Sequence, residues 1–267
     1  MQANVEMAQI LGVRFDNVSM DEALERIRAF VQEGKPRAVF TPNVDFLMLG
    51  RKDPAFRDIT NAADLNLCDS VPLRWASRLL GVPLKARIAG ADLLPAACEL
   101  AAKEGYRVYF LGGAPGVGER AAQILTARHP DLRVAGVYAP PMGFNGDQNE
   151  TQKILQTIRR AAPHILFVSL GTPKQERWIH EFGKQIGVPV AIGVGASFDL
   201  VSGTRRRAPV WIQRIGLEWL FRLCQEPRRL WRRYLLRDAP FVALLFREWV
   251  RRGMGASADG RVPQDKG

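Results

Sequence analysis

The chain has 267 residues, enough for one large α/β domain or two small ones with a buried core. Hydrophobic residues make up 47% and charged residues 24%, as in an ordinary globular protein. The net charge of +11 is less ordinary. It predicts an anionic partner, which leaves nucleic acid, an acidic lipid surface or a phosphorylated ligand.

Cysteine usage and hydropathy indicate the compartment. The three cysteines are far apart and form no C-x-x-C pair, which argues against a disulfide framework or a zinc site. Residues 1–16 carry no signal segment, and no apolar run approaches the roughly 20 residues that span a bilayer. We therefore expect the protein to be made and kept in the cytoplasm.

Short apolar runs, each followed by a turn and usually by a helical pattern, recur along the chain. They lie at 38–41, 65–68, 108–111, 133–138, 165–170 and 190–195. Strands that are apolar throughout are buried on both faces, which predicts a mostly parallel sheet covered by helices. The predicted fold class is α/β, a doubly wound, Rossmann-like domain over residues 1–203. Ligands of such domains bind outside the carboxyl ends of the strands.

A glycine-rich turn, L-G-G-A-P-G-V-G, follows the strand at 108–111. Gly112 and Gly113 could bring backbone N–H groups close to a phosphate, but the spacing is neither a Walker loop nor G-x-G-x-x-G. A tight strand–helix connection explains the glycines equally well. No D-x-D or histidine–carboxylate cluster is present, so we predict that no metal is bound and that Arg, Lys and backbone dipoles handle phosphate charge.

Five polar residues are candidates for the site, each with a structural alternative. Thr41 and Asn43 follow a buried strand and either cap a helix or face the cleft. Asp69 is either a turn aspartate or a general base that takes a proton from an attacking hydroxyl. Arg87 either binds phosphate or carboxylate or lies on the surface. Gln175 follows another strand-end turn and is either a cleft residue or part of a solvated helical turn.

Several segments, in this order, resemble the WecG/TagA/CpsF family of bacterial glycosyltransferases (glycosyltransferase family 26). They include T-P-N-V-D from position 41, R-I-A-G-A-D from 87, L-G-T-P-K-Q-E from 170, G-V-G-A-S-F-D from 193 and E-P-R-R from 226. The resemblance covers about residues 9–237. The number of segments found in sequence order makes the match specific.

The resemblance implies an inverting, metal-independent transferase without a cofactor. Its donor would be a UDP-sugar carrying N-acetylmannosamine, the corresponding uronic acid or glucose, and its acceptor a saccharide on a polyprenyl diphosphate. Asp69 matches the catalytic base that has been suggested for the family, while Thr41, Asn43, Arg87 and Gln175 match polar positions of its active site. The family commonly has Asp-Gly where this chain has Asp69-Ser70.

The C-terminal part differs in composition. Residues 204–252 contain thirteen arginines, no lysine and four acidic residues, so they hold +9 of the net charge, and they contain four of the six tryptophans. We predict a helical appendage, with an amphipathic helix over 210–224, that binds the anionic inner face of the plasma membrane peripherally. The alternative is a core-packing helix with a solvated basic face. Residues 253–267 are predicted to be disordered.

The resemblance adds a second role for the appendage, which is to contact the donor. Arg222, Arg229 and Arg232 are expected to reach the donor diphosphate when the appendage covers the site. The oligomeric state, a homo-oligomer included, is not predicted. The rival classes are an NAD(P)-dependent oxidoreductase, suggested by Gly193-Val194-Gly195, and a basic nucleic-acid-binding protein. Against the oxidoreductase, Gly193-Val194-Gly195 lacks the third glycine of the dinucleotide-binding pattern G-x-G-x-x-G. Against the nucleic-acid-binding protein, arginines mixed with aromatic residues are more typical of a lipid-binding surface.

Overall fold

The computed structural model describes residues 7–141, 143–144 and 147–258, with side chains up to Arg252. The strands are β1 Met7–Ile10, β2 Val13–Asp16, β3 Arg37–Phe40, β4 Leu65–Asn66, β5 Arg107–Gly112, β6 Arg133–Tyr138, β7 Ile165–Ser169 and β8 Val190–Gly193. The helices of the α/β part are α1 Met20–Glu33, α2 Val44–Lys52, α3 Pro54–Asn61, α4 Val71–Leu79, α5 Gly90–Glu104, α6 Val117–Arg128, α7 Gln148–Ala161, α8 Lys174–Ile186 and α9 Ser197–Val201. The appendage contains α10 Val210–Arg214, α11 Glu218–Gln225, α12 Pro227–Trp231, a π-helical segment Arg232–Arg237 and α13 Pro240–Ala258.

A six-stranded sheet in the order β4-β3-β8-β7-β5-β6 forms the centre, and its paired strands are all parallel. Its central strands are buried on both faces because α1, α5 and α6 pack on one side and α7 and α8 on the other. The doubly wound α/β fold predicted from the apolar runs is therefore confirmed. The carboxyl ends of β3, β4, β7 and β8 lie at one edge of this sheet.

An N-terminal hairpin, which the sequence analysis did not predict, adds a second small core. β1 and β2 pair antiparallel across Leu11 and Gly12, which both have positive φ, as a tight two-residue hairpin turn requires. The hairpin packs against α2, α3, α4 and Phe241 of α13. It is also tied to the sheet, since the Asp16 carboxylate accepts a hydrogen bond of 2.8 Å from the backbone N–H of Asn66.

The appendage differs from the single amphipathic helix predicted over 210–224. It contains two short helices there, α10 and α11, because the chain turns at Gly216, whose φ is +72°. A Cβ at Gly216 would lie 3.1 Å from both Trp75 and Val71, so glycine also permits close packing on α4. The final helix reaches Ala258, within the tail predicted to be disordered, and residues 259–267 lie outside the described residues.

The appendage shares a core with the rest of the protein. Phe241 is buried in the hairpin core, and the carboxylate of Glu248 accepts a hydrogen bond of 3.0 Å from the backbone N–H of Leu11. Arg252 donates to the carbonyl of Gln9 at 2.8 Å. No described helix is both long and apolar enough to cross a membrane.

Candidate active site

A cavity of about 590 Å³ lies between the carboxyl ends of the strands and the appendage. This is the location expected for a ligand site in an open α/β sheet. The predicted site residues that line it are Thr41, Asn43, Asp69, Arg87, Gln175, Arg222 and Arg229. Three further predicted residues, Gly112, Gly113 and Arg232, are not part of its lining.

Asp69 faces the cavity just after β4. Its segment is fixed by the backbone, since Asp69 N–H donates to the Pro42 carbonyl at 3.0 Å and Ile88 N–H donates to the Cys68 carbonyl at 2.7 Å. Burial raises the pKa of the Asp69 carboxyl to about 7, against the opposing effect of the Arg87 guanidinium. A carboxyl with this pKa can accept and release a proton near neutral pH, as a general base must.

Arg87 is held in a network that joins the α/β part to the appendage. Its guanidinium donates to Glu218 at 2.9 Å, to Asp92 at 3.0 Å and to the side-chain oxygen of Gln213 at 3.3 Å. Arg207 donates to both oxygens of Asp92, at 2.5 and 2.8 Å. The sequence left open that Arg87 lies on the protein surface. The structure excludes this, because the side chain is only 17% exposed and is fixed at the cavity wall.

Asn43 combines both roles that the sequence left open, whereas Thr41 lines the cavity and is not the cap of α2. The side-chain oxygen of Asn43 caps α2 by accepting from the N–H of Asp45 at 3.0 Å, and the residue also borders the cavity. The Thr41 hydroxyl donates to the Gly193 carbonyl at 3.4 Å, across two adjacent strand ends. Their positions are therefore set by local structure, and their remaining polar groups are available to a ligand.

Gln175 is buried behind the loop that follows β8. Its side-chain oxygen accepts from Gly195 N–H at 3.1 Å, and its amide nitrogen donates to Glu176 at 2.6 Å. Burial raises the pKa of Glu176 to about 7, and hydrogen bonds from Gln175 and Thr172 oppose this shift. Gln175 and Glu176 thus hold the Gly195 loop at the cavity edge. The sequence indicated Lys174, Gln175 and Glu176 either as cleft residues or as a solvated first helical turn, and Gln175 and Glu176 are both buried.

The glycine pair and Arg232 lie elsewhere. A Cβ on Gly112 would approach the Ser169 carbonyl oxygen to 2.4 Å, and Gly113 N–H already donates to that oxygen at 2.9 Å. These glycines allow β5 and β7 to approach closely at their ends, a packing role between strands that differs from both the phosphate site and the strand–helix connection considered from the sequence. Arg232 is exposed, with its guanidinium 5.4 Å from the ring centroid of Trp231.

The appendage contributes basic side chains to the cavity. Arg222 lines it with no acidic partner within ion-pair distance among the described residues, whereas Arg229 pairs with Glu226. The neighbour of Arg232 in the chain, Arg233, also lines the cavity. An unpaired guanidinium beside an ionisable aspartate can attract an anionic ligand.

Comparison with known proteins agrees with this geometry. The family described as "Glycosyl transferase WecG/TagA/CpsF family" matches residues 8–255. The chain belongs to this family. As a WecG/TagA/CpsF family member, it is a glycosyltransferase, which decides against the oxidoreductase and nucleic-acid-binding classes.

Two proteins that are similar to this chain carry the same name, N-acetylglucosaminyldiphosphoundecaprenol N-acetyl-beta-D-mannosaminyltransferase. The protein from Bacillus spizizenii strain W23 is 34% identical over 206 residues, 77% of this chain and 77% of that protein. The protein from Staphylococcus aureus strain MRSA252 is 30% identical over 233 residues, 86% of this chain and 89% of that protein.

Ser70 is the position at which this WecG/TagA/CpsF family member departs from the usual Asp-Gly. Its φ of −139° is extended, so the backbone does not require glycine there. The residue lines the cavity, and its buried hydroxyl finds no hydrogen-bond partner among the described residues. The residue lies beside Asp69, so rotation of its side chain toward the cavity would let this hydroxyl pair with a substrate group.

Other residues of the site could not be predicted from the sequence, because their partners are distant in the chain. Asp45 was visible only as part of T-P-N-V-D, and nothing in its surroundings predicted burial against arginines about 190 positions later. Asp92 and Glu218 likewise acquire their roles through the fold. The sequence signal at Asp45 is an acidic residue in the first turn of a helix that follows a strand, and this pattern does not reveal burial.

Proposed function

We propose that this glycosyltransferase moves N-acetylmannosamine from UDP to N-acetylglucosamine carried on a polyprenyl diphosphate, with inversion at the anomeric carbon. The observation that carries the proposal is Asp69, a carboxyl with a pKa of about 7 in a cavity that is also lined by Arg222, which has no ion-pair partner in the described part of the chain. The names of the two relatives support this donor and this acceptor.

Asp69 acts as the base in a single displacement. It takes the proton from an acceptor hydroxyl while that oxygen attacks the anomeric carbon of the donor. The bond from this carbon to the diphosphate oxygen breaks, and its electron pair leaves with UDP. A positioned base of this kind contributes about 10²- to 10⁴-fold in rate.

Arginines meet the charge that builds on the departing diphosphate. Arg222 is unpaired within the described part of the chain, and Arg229, which is paired with Glu226, also lines the cavity. Arg87 is neutralised by Glu218 and Asp92, so we assign it mainly to orienting the wall around Asp69. Preorganised cations at a leaving group stabilise the transition state without reorganisation. Catalysis is therefore proposed to be independent of a metal ion.

The lipid acceptor requires access from a membrane, which the appendage is proposed to provide. Large apolar side chains are exposed along it, including Trp211 at 64%, Leu236 at 61% and Val242 at 70%. Exposed arginines, Arg228 and Arg232 among them, lie in the same region. Apolar and basic groups together favour an anionic interface, so we propose peripheral binding at the inner face of the plasma membrane.

A donor and acceptor screen tests the proposal. Purified protein would be incubated with UDP-N-acetylmannosamine, its uronic acid or UDP-glucose, and with a synthetic prenyl-diphosphate-linked N-acetylglucosamine. We expect a disaccharide product from UDP-N-acetylmannosamine, with inverted anomeric configuration by NMR, and at least about 100-fold slower product formation by the Asp69→Asn variant. Transfer from another donor only would contradict the donor assignment. A retained configuration would contradict the single displacement.

A further inference from the structure

A cluster of charges around the buried Asp45 joins the appendage to the α/β part beside the cavity. Asp45, in the first turn of α2, is only 2% exposed. Its two carboxylate oxygens lie 2.6 Å from Nε of Arg237 and 3.3 Å from Nε of Arg233. Asp238 completes the cluster at 3.8 Å from Arg233.

The burial of Asp45 makes these contacts necessary. A carboxylate removed from water is strongly destabilising unless a cation compensates it. The α2 N-terminus gives part of that compensation, and the rest must come from the two arginines. Both arginines belong to the π-helical segment Arg232–Arg237, so the charge of Asp45 fixes where this segment lies.

The same segment forms part of the cavity wall. Tyr234 and Leu235 line the cavity between the two arginines, and Arg229 precedes them in α12. Arg233 also donates to the side-chain oxygen of Asn43 at 3.4 Å, which links the cluster to the strand end. A shift of this segment would therefore move the wall that faces the substrates.

We propose that Asp45 is a positioning residue that latches the Arg232–Arg237 segment onto α2 and thereby completes the substrate cavity. This inference rests on the proposed transferase function for its kinetic test. The latch acts through Arg233 and Arg237, which are held in place by Asp45 rather than left free to bind phosphate. Asp238 adds a second acidic group beside them, but burial and the charge of Asp45 raise its pKa to about 7, so it carries only part of a negative charge at neutral pH.

The kinetic test replaces Asp45 by Asn, which keeps the shape and removes the charge. We expect the KM for the UDP-sugar to rise by about tenfold and kcat to fall, as for the loss of a coupled contact between charged residues. Partial unfolding alone would lower kcat and leave KM unchanged. Asp45→Glu, which restores the charge, should recover part of the KM.

Arg237→Gln separates the latch from direct phosphate binding. If Asp45 latches the segment, Asp45→Asn and Arg237→Gln both raise KM, and the double variant is no worse than the worse single variant. If the arginines themselves bind phosphate, Asp45→Asn frees them and lowers KM, while Arg237→Gln raises it. That opposite pair of shifts would overturn the proposal.

Hydrogen exchange gives a readout that needs no activity. In the full-length Asp45→Asn protein, amides of Arg232–Arg237 should exchange faster while those of β5 remain protected. Glu248→Gln is the matched control, because it removes the charge of another buried acidic residue, one that joins the appendage to the N-terminal hairpin at Leu11 and does not line the cavity. It should speed exchange in α13 and leave KM unchanged. Unchanged exchange at Arg232–Arg237 and unchanged KM in Asp45→Asn would refute the latch.

The proposal can still be tested if the Asp45→Asn variant does not fold or if the wild-type enzyme shows no transfer. If Asp45→Asn does not fold, Arg237→Gln and Arg233→Gln take its place, and both must raise KM and accelerate exchange at Arg232–Arg237. If the wild-type enzyme transfers no sugar, the proposed function fails, but the exchange experiment still decides whether Asp45 holds the segment.

Discussion

The Asp69→Asn variant tests the centre of the mechanism, because it removes the ionisable group and keeps the side-chain volume. We expect turnover to fall by at least about 100-fold, the effect of losing a general base. No neighbouring carboxylate can replace it easily, since Glu218 is held by Arg87 at 2.9 Å. Asp64→Asn, at the start of the same segment, removes an ion pair with Arg37 and should leave turnover within about twofold.

The same variant should remove a pH dependence. Burial raises the pKa of Asp69 to about 7, so the wild-type base is mostly protonated at pH 6 and mostly ionised at pH 8. Wild-type kcat/KM should therefore rise with pH through about 7. In Asp69→Asn the small residual rate should lack this step.

The free energy of unfolding of the wild-type protein should fall as pH rises, whereas kcat/KM should increase. A raised pKa means that folded Asp69 holds its proton more tightly than the unfolded chain does, so wild-type stability is lost as pH rises from about 4 to about 7. A shift from 3.8 to about 7 at 1.36 kcal/mol per pKa unit sets an upper limit of roughly 4 kcal/mol. Solvent in the cavity screens the charge, which reduces our expectation to about 1–3 kcal/mol.

Urea denaturation at pH 5 and pH 8 measures this difference. Asp69→Asn cannot titrate at this position, so it should be the more stable protein at pH 8, by an amount that shrinks markedly at pH 5. Near-normal turnover of Asp69→Asn would refute the base assignment. A stability difference that is absent, or equal at both pH values, would refute burial as the cause of the raised pKa.

Three further outcomes are expected. Ser70→Ala should raise a substrate KM by about 2- to 10-fold in steady-state kinetics, the effect of losing one neutral hydrogen bond, and an unchanged KM would exclude that contact. Activity should persist in millimolar EDTA, and recovery by Mg²⁺ after inactivation would contradict metal independence. The intact protein should float with anionic vesicles and be partly released by salt, and replacing Arg228 and Arg232 with Gln should weaken flotation. Equal flotation of the variant and the wild type would contradict a membrane role for these two arginines.

The strand-end part of the site could be predicted from the sequence for a physical reason. Parallel strands that are apolar throughout must lie side by side, so the residues just after them meet at one edge of the sheet. Thr41, Asn43, Asp69 and Gln175 each follow such a strand, and the structure brings all four to one cavity. Their spacing along the chain did not need to be regular, because the sheet aligns them.

The remainder depends on contacts between distant residues. Arg87 and Glu218 are separated by 131 positions, and no local pattern predicts that they pair. The periodicity of Ile212, Ile215, Trp219 and Leu223 predicted one helix, yet the contact of Gly216 with α4 divides it. Gly112 shows a different limit, because in the sequence a glycine needed for close packing between strands looks the same as one that admits a phosphate.

The arginines of the appendage divide into two groups with different consequences. Arg207, Arg233 and Arg237 point inward and pair with acidic residues of the α/β part, so their charge is neutralised within the protein. Arg228 and Arg232 are exposed. The charge of +9 in residues 204–252 therefore overstates what a membrane would encounter. Replacing inward arginines should alter kinetics with a soluble acceptor, whereas replacing outward arginines should alter vesicle binding alone, because only the outward group is screened by salt.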